Sequence, residues 1–163
     1  MKKLSKIFML VAVAVVGAIL LASCGYKGKK YVFEKVSVSE AVQAKIDSIN
    51  AIAGLLGQQI TVESLTQDIV NVFKRGFQFS KDGKELTWLA DPDQADAESI
   101  TLKVISEGKY IYVDDDGDGV LSENEKATGF EVRGSKLVIR YNIGASLGVS
   151  GDEYWAELVF KRA

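Results

Sequence analysis

The sequence has no histidine, and its 163 residues include only one cysteine and one proline. Without histidine, the side chain that most often acts as a general base near neutral pH is missing. A single cysteine forms no disulfide within the chain, so the folded part must be held by packing or by a bound metal. The sequence also contains neither a Gly-rich phosphate loop nor a nucleophile elbow. These absences predict that the protein is not an enzyme.

The first 23 residues have the composition of a secretory signal peptide. Lysines at the start are followed by an apolar run from Ile7 to Leu21 and then by small residues. This run is shorter than the roughly 18 apolar residues expected of a membrane-spanning helix, and the small residues after it favour cleavage. An uncleaved anchor helix is the less favoured alternative.

The end of this segment, Leu21-Ala22-Ser23-Cys24, resembles the lipobox of bacterial lipoproteins. The resemblance implies cleavage before Cys24, attachment of diacylglycerol to its thiol, and acylation of the new amine, for example with palmitate. One acyl chain binds a membrane only weakly, whereas two or three hold a protein there stably. We therefore expect a protein anchored by lipid at Cys24 to the cell membrane or outer membrane, facing the periplasm or the extracellular side.

Residues 24–30 are predicted to form a lipidated tether, and residues 31–163 a single domain. Without the signal segment the chain has 140 residues, with 17 basic against 22 acidic side chains and a net charge of −5. This balance argues against a nucleic-acid partner. The tether lysines Lys27, Lys29 and Lys30 either contact anionic headgroups or only keep a linker soluble, and the sequence leaves both readings open.

The first half of the domain is predicted to contain one strand and two helices. The β-branched and aromatic segment KYVFEKV indicates the strand. Apolar residues then recur every three to four positions over about 39–57 and 61–75, which is typical of amphipathic helices. Ser37 with Glu40 has the spacing of a capping box for the first helix, and Thr61 is the predicted N-cap of the second.

From residue 77 to 161 the apolar period changes to two, which indicates seven further strands. Hairpin turns are predicted at Asp82-Gly83, Glu107-Gly108 and Gly134-Ser135. The side chains predicted to point inward are Phe77, Phe79, Leu86, Trp88, Leu102, Val104, Tyr110, Tyr112, Phe130, Val132, Leu137, Ile139, Tyr141, Tyr154, Ala156, Leu158 and Phe160. The predicted fold is therefore α+β, an antiparallel meander that closes into a barrel or a strongly curved sheet, with two helices after the first strand.

This rhythm of strands and Gly-containing turns, with aromatic residues inside, resembles the lipocalin-like domains of many bacterial lipoproteins. The resemblance covers about Phe77 to Lys161 and depends on the pattern, because the Gly-x-Trp signature of true lipocalins is absent. It implies a barrel interior that binds a small or apolar molecule.

The segment DDDGDGVLSENE, from Asp114 to Glu125, follows the twelve-residue calcium loop of EF-hand proteins. Gly119 falls at the position of the sharp turn. The predicted metal ligands are the side chains of Asp114, Asp116 and Asp118, the backbone carbonyl of Val120, a water held by Ser122, and a bidentate Glu125. We expect the cofactor to be calcium, and the alternative is an open, solvated acidic turn.

The residues around this loop predict its role. A strand enters the loop and a strand follows soon after, whereas a sensor EF-hand has a helix on each side that moves. The loop is therefore predicted to be a structural clip. The leading hypothesis for function is a non-catalytic envelope lipoprotein whose calcium-stabilised barrel binds a small or apolar ligand. The alternative is an interaction module that presents its helices or its acidic loop to another envelope protein.

Overall fold

The computed structural model of the protein describes residues 25–90 and 97–163. The predicted signal segment and Cys24 lie outside the described residues, as does the whole acidic segment DPDQAD, residues 91–96.

Eight strands form a closed antiparallel barrel in which each strand pairs with its neighbours in sequence, and β1 pairs with β8. The strands are β1 (Lys30–Val38), β2 (Phe77–Phe79), β3 (Glu85–Trp88), β4 (Ile100–Glu107), β5 (Tyr110–Val113), β6 (Phe130–Arg133), β7 (Lys136–Asn142) and β8 (Trp155–Arg162). Two helices, α1 (Glu40–Ala53) and α2 (Val62–Phe73), follow β1. The predicted fold class is confirmed, and of the two shapes the sequence allowed, the sheet takes the closed one.

The connections alternate between the two ends of the barrel because all neighbouring strands are antiparallel. We call one end the tether end: it holds residue 25, residue 163 and the three short hairpins. Gly83, Gly108 and Gly134 lie in those hairpins with positive φ angles of 76°, 60° and 62°, which confirms the three predicted hairpins. The β4–β5 turn is one residue later than predicted, at Gly108-Lys109, because Glu107 still pairs with Tyr110. The opposite end, the helix end, carries α1, α2 and the three long connections.

Both helices begin with a side-chain cap. Thr61 caps α2 as predicted, because its hydroxyl accepts a hydrogen bond from the Ser64 backbone N–H while the Ser64 hydroxyl accepts one from Thr61. The predicted capping box of Ser37 and Glu40 is wrong. Ser37 continues β1, and Ser39 caps α1 by accepting from the Val42 N–H at 3.3 Å.

Apolar side chains from the barrel and from α2 form the main core. Its buried members are Tyr26, Tyr31, Phe77, Phe79, Leu86, Val104, Ile111, Phe130, Leu137, Leu158 and Phe160. Ile69 and Phe73 of α2 pack against this cluster. A second cluster joins Val42 and Ile46 of α1 to the β7–β8 connection. Both helices therefore pack on the sheet as an amphipathic face should, and α2 covers the barrel interior at the helix end.

Strand β5 faces the opposite way from the prediction. Tyr110 and Tyr112 were expected inside, but Ile111 is 1% exposed in the main core and Val113 packs against it. The two tyrosine rings instead stack on each other, with centroids 6.0 Å apart. In the sequence YIYV both phases of the alternation are apolar, so the period alone does not choose the inner face.

Residues of the predicted tether are bound to the barrel. Tyr26 is 1% exposed; its ring lies edge-on to Phe79 at 4.9 Å and its hydroxyl donates to the Gly83 carbonyl at 3.2 Å. The backbone of Lys29 accepts a hydrogen bond from the Phe79 N–H at 3.0 Å. The tether end is thus closed by the chain segment that leads to residue 24.

Candidate functional site

The acidic loop leaves β5 beside β4. The Asp114 backbone N–H donates to the Lys103 carbonyl at 3.0 Å, which fixes the start of the loop on the sheet. The loop returns through a 3-10 turn, Glu125–Thr128, to β6. Gly117 and Gly119 take positive φ angles of 73° and 77°, so the chain turns sharply between the acidic residues.

Three of the predicted calcium ligands lie together. Asp114, Asp116 and Asp118 each offer one carboxylate oxygen, and these oxygens all lie within 4.8 Å of one another. The loop is held in this shape by its own carboxylates, which accept hydrogen bonds from the backbone N–H groups of Asp118, Gly119 and Val120 at 3.1, 3.2 and 2.6 Å. Carboxylates this close repel one another unless a cation lies between them.

Asp114 has a buried oxygen without a hydrogen-bond partner among the described residues. The residue is 8% exposed, and its Oδ2 accepts from the Gly119 N–H, but its buried Oδ1 has no hydrogen-bond partner among the described residues. Burying a carboxylate oxygen without a hydrogen-bond partner destabilises the folded state by roughly several kcal/mol. A divalent cation bound by the three aspartates would supply the missing partner.

Glu125, the predicted twelfth-position ligand, is not a member of this group of three. It is 4% exposed, and its two oxygens accept from the backbone N–H groups of Ser122 at 2.7 Å and Asp115 at 2.9 Å. The Ser122 N–H is the main cause that lowers the pKa of Glu125, and the bond from Asp115 adds to it. The structure therefore shows Glu125 bracing both ends of the loop, and its role as a bidentate ligand stays a prediction.

Ser122 and Glu125 also bond to each other reciprocally. The Glu125 N–H donates to the Ser122 hydroxyl at 3.4 Å, while Glu125 accepts from the Ser122 N–H. This is the pattern of a capping box, and the Ser-x-x-Glu spacing could have indicated it. The Val120 side chain is aliphatic and has no ligand atom, so only the backbone carbonyl of this residue is a suitable ligand. The role of Val120 and Ser122 in metal binding stays a prediction.

The sequence analysis missed a groove beside the loop. It has a volume of about 980 Å³ and lies between the acidic loop and the β2–β3 hairpin. Lys27, Lys81, Lys84 and Lys103 line it. Lys103 Nζ donates to the Gly117 carbonyl at 3.3 Å, so one lysine of the groove helps to fix the loop.

A second cavity lies inside the helix end of the barrel and has a volume of about 470 Å³. Its walls come from α2, from β2 to β7 and from the end of the acidic-loop connection. The residues that line it include Ile69, Phe73, Trp88, Leu102, Ala127 and Tyr141. Phe73 of α2 stacks on Trp88 of β3, with ring centroids 5.6 Å apart. A cavity of this size is within the range that holds a small ligand.

Two polar atoms in the cavity wall are buried without a partner among the described residues, Trp88 Nε1 and Tyr141 Oη. Burial raises the pKa of Tyr141 to about 12, so its hydroxyl stays protonated at physiological pH. The indole N–H donates only, whereas the hydroxyl donates or accepts. Together they suit an oxygen atom on an otherwise apolar molecule.

A network of ion pairs covers the outer face of β6, β7 and β8. Glu157 is 5% exposed and accepts hydrogen bonds from Arg133 and Arg140 at 2.6 to 3.0 Å. Burial alone would raise the pKa of Glu157, but these two arginines lower it. Glu131 binds Arg133 and Lys109, which lower its pKa to about 2 against the opposing effect of burial. The charged groups of this network are paired with one another, so we assign the network to the stability of the fold.

Compared with known proteins, the chain matches no protein-family model, and no curated protein matches it significantly. Among the described residues, no helix is both long and apolar enough to cross a membrane. The features of the chain that bear on function are therefore the acidic loop, the cavity and the N-terminal sequence.

Proposed function

We propose that this protein is a non-catalytic cell-envelope lipoprotein, attached to a membrane through Cys24, whose calcium-stabilised barrel binds a small, mainly apolar ligand. The observation that carries the proposal is the cavity of about 470 Å³ at the helix end. A barrel interior filled with aromatic side chains would leave no such space.

The cavity also suggests the chemical nature of the ligand. Its lining is aliphatic and aromatic, apart from a few polar groups that include Trp88 Nε1 and Tyr141 Oη. Leaving these two atoms unpaired in an apolar interior is unfavourable, and a ligand oxygen that accepts from the indole would relieve it. We therefore expect an apolar body that carries one acceptor oxygen, such as a carbonyl or carboxylate.

Calcium has a structural role in this proposal. The carboxylates of Asp114, Asp116 and Asp118, together with the Val120 carbonyl and a water held by Ser122, would hold the ion. The unpartnered Asp114 Oδ1 supports this assignment. The ion would neutralise charge in a connection whose far end, at Ala127, lines the cavity. The metal would thus rigidify one wall of the ligand site.

Ligand binding can be tested in the domain from Gly25 to Ala163, which contains every strand, helix and core residue of the described structure. The chain has two tryptophans, so Trp155→Phe leaves Trp88 as the reporter within the cavity. Titration with anilinonaphthalene sulfonate, an apolar probe with acceptor oxygens, is expected to change Trp88 emission and to saturate at one site.

A cavity-filling variant makes this test specific. Ala127 lines the cavity and is exposed, so Ala127→Phe places a ring at the cavity mouth; we expect it to weaken probe binding at least about tenfold, because it reduces the space available to the probe there. Ala44→Phe, on the exposed surface of α1, is the matched control and should bind the probe as the parent does. Equal affinity in all three proteins would show that the probe binds elsewhere and would contradict the proposal.

One observation favours the alternative function, an interaction module. Ile52 in the last turn of α1, and Leu55 and Leu56 in the 3-10 turn that follows it, are 70%, 86% and 78% exposed. Three large apolar side chains this exposed on one short segment are typical of a contact surface. A photocrosslinker at Leu55 in intact cells should then give a discrete protein adduct that the same group at exposed Gln58 does not give; no adduct at Leu55 would count against this alternative.

A further inference from the structure

The connections at the two ends of the barrel differ in charge, although the start of the acidic loop lies beside the β2–β3 hairpin, where Asp114 and Asp118 share a groove with Lys27, Lys81 and Lys84. At the tether end, in residues 25–31, 79–86, 106–110, 133–137 and 160–163, there are ten basic and three acidic side chains. At the helix end, in the described residues of 38–76, 89–100, 114–129 and 142–155, there are four basic and thirteen acidic side chains. A protein whose net charge is negative therefore has one strongly basic end.

Most of the basic groups at the tether end are available to a ligand. Lys109, Arg133 and Lys136 bind acidic side chains of the barrel wall. The other seven have no ion pair within the part of the chain that the structure describes; they are Lys27, Lys29, Lys30, Lys81, Lys84, Lys161 and Arg162. All of these except the half-buried Lys27 are exposed. The Asp82 carboxylate is occupied by the Ser80 hydroxyl and the Lys84 N–H.

The chain leaves the described structure at this same end. Tyr26 is buried against Phe79, the Gly28 N–H donates to the Ser80 carbonyl at 2.8 Å, and Arg162 donates to the Gly25 carbonyl. Cys24 directly precedes the fixed Gly25 in the sequence, and one trans peptide unit joins Cα atoms about 3.8 Å apart. This reach is shorter than the roughly 8 Å over which charges act at physiological ionic strength.

We propose that the tether end is a membrane-docking face that binds the headgroups of anionic phospholipids. In the cell this inference builds on the proposed lipid attachment at Cys24, because that anchor would hold the basic end against the bilayer. The face itself consists of side chains of the folded domain and binds without the anchor. Docking through this end orients the cavity mouth away from the membrane.

The test is sedimentation of the domain from Gly25 to Ala163 with phospholipid vesicles. The domain is expected to pellet with an equimolar mixture of phosphatidylglycerol and phosphatidylcholine, to remain in solution with phosphatidylcholine alone, and to be released by high salt. The acidic net charge of the domain would repel an anionic surface, so binding requires the segregated basic face. Failure to bind the mixed vesicles at low salt would overturn the proposal.

Two variants with the same change in net charge locate the face. The first variant combines Lys29→Gln, Lys30→Gln and Lys81→Gln. We expect it to lower the partition coefficient between vesicles and solution about a hundredfold, because each lysine near an anionic surface contributes about fivefold. The control variant combines Lys45→Gln, Lys74→Gln and Lys126→Gln, which remove the same charge from the helix end. It should change the partition coefficient only slightly. Equal losses in the two variants would also overturn the proposal. Melting temperatures of both variants check that each is folded.

The outcome is separable from that of the proposed function. Lipid on Cys24 is tested in the full chain, by comparing labelled fatty acid incorporation with that in Cys24→Ser. A domain that binds anionic vesicles, in a protein that incorporates no fatty acid, would leave the docking face standing and remove the lipoprotein assignment. Incorporation of fatty acid by the full chain, with no vesicle binding by the domain, would support the lipoprotein assignment and overturn the docking face.

Discussion

The two ends of the barrel are built in different ways. At the tether end the hairpins are short, and Tyr26, Tyr31 and Phe79 fill the interior with edge-to-face aromatic contacts. At the helix end the connections are long and a cavity remains, with Trp88 Nε1 and Tyr141 Oη in its wall. Both atoms are buried without a hydrogen-bond partner among the described residues, as is the Tyr31 hydroxyl at the tether end. The contrast indicates that stability comes mainly from one end of the fold, while the candidate ligand site is at the other.

The largest predicted effect breaks the packing of the tether end. Tyr26→Ala removes a fully buried ring and the hydrogen bond to Gly83, and we expect a loss of about 3 to 5 kcal/mol in the free energy of unfolding. Urea unfolding of the domain from Gly25 to Ala163 measures it. Tyr110→Ala, which truncates a ring that is 37% exposed, is the control and should cost much less. Similar losses in both variants would mean that residue 26 belongs to a loose tether.

A second, smaller effect concerns the acidic loop on the connection from β5 to β6. Saturating calcium is expected to raise the stability of the domain by about 2.7 kcal/mol when its concentration is a hundred times the dissociation constant. Asp114→Asn should abolish this gain, because it removes charge from the one buried aspartate of the group.

Thermal unfolding in calcium, in magnesium and in chelator measures the gain. Asp152→Asn is the control, since it removes an exposed aspartate from another connection at the same end. A melting temperature that calcium does not change in the parent domain would make this segment an acidic turn without a metal. Glu125→Ala tests whether the brace is also needed for the gain.

The smallest predicted effect is pH-dependent and concerns Glu131, which forms ion pairs with Lys109 and Arg133 of the tether end. The pKa of Glu131 is about 2 against an ordinary 4.5, so its ion pairs stabilise the fold at neutral pH and this stabilisation is lost as the pH falls from about 4.5 toward 2. We expect Glu131→Gln to lower stability at pH 7 by about 1 to 2 kcal/mol, allowing for screening of partly exposed partners.

The same difference should shrink at pH 3, because the parent protein then loses part of the contribution as well. Urea unfolding at both pH values checks this. Glu107→Gln removes an exposed carboxylate from the β4–β5 hairpin and should have little effect at either pH. A Glu131→Gln difference that stays constant with pH would show that the ion pairs are not its cause.

The sequence was sufficient for the barrel and its turns because the evidence for them is local. Gly83, Gly108 and Gly134 mark the hairpins, and the change in apolar period separates helices from strands. The inward face of β5 was not predictable in this way, since both faces of YIYV are apolar. Tyr26 was also missed, because glycine and lysine around it are typical of a linker and its partner Phe79 is distant in sequence.

The candidate sites also contain parts that the local sequence predicts and parts that it does not. The three clustered aspartates are adjacent in sequence, so their proximity follows from the spacing alone. The bracing bonds of Glu125 depend on how the loop folds back on itself, although the Ser122-to-Glu125 spacing was a readable signal. The cavity depends on how far α2 stands from β3 and β7, and no local pattern contains that distance.

The pairing of β1 with β8 has a consequence for synthesis and export. Val38 pairs with Ala156 and Tyr31 with Arg162, so the first strand meets its partner only after more than a hundred further residues. Such distant pairing makes folding slow and late. Until the last strand emerges, β1 and β7 each present a bare edge that can pair with another chain. A product that stops before Trp155 therefore lacks the strand that closes the barrel and is expected to aggregate.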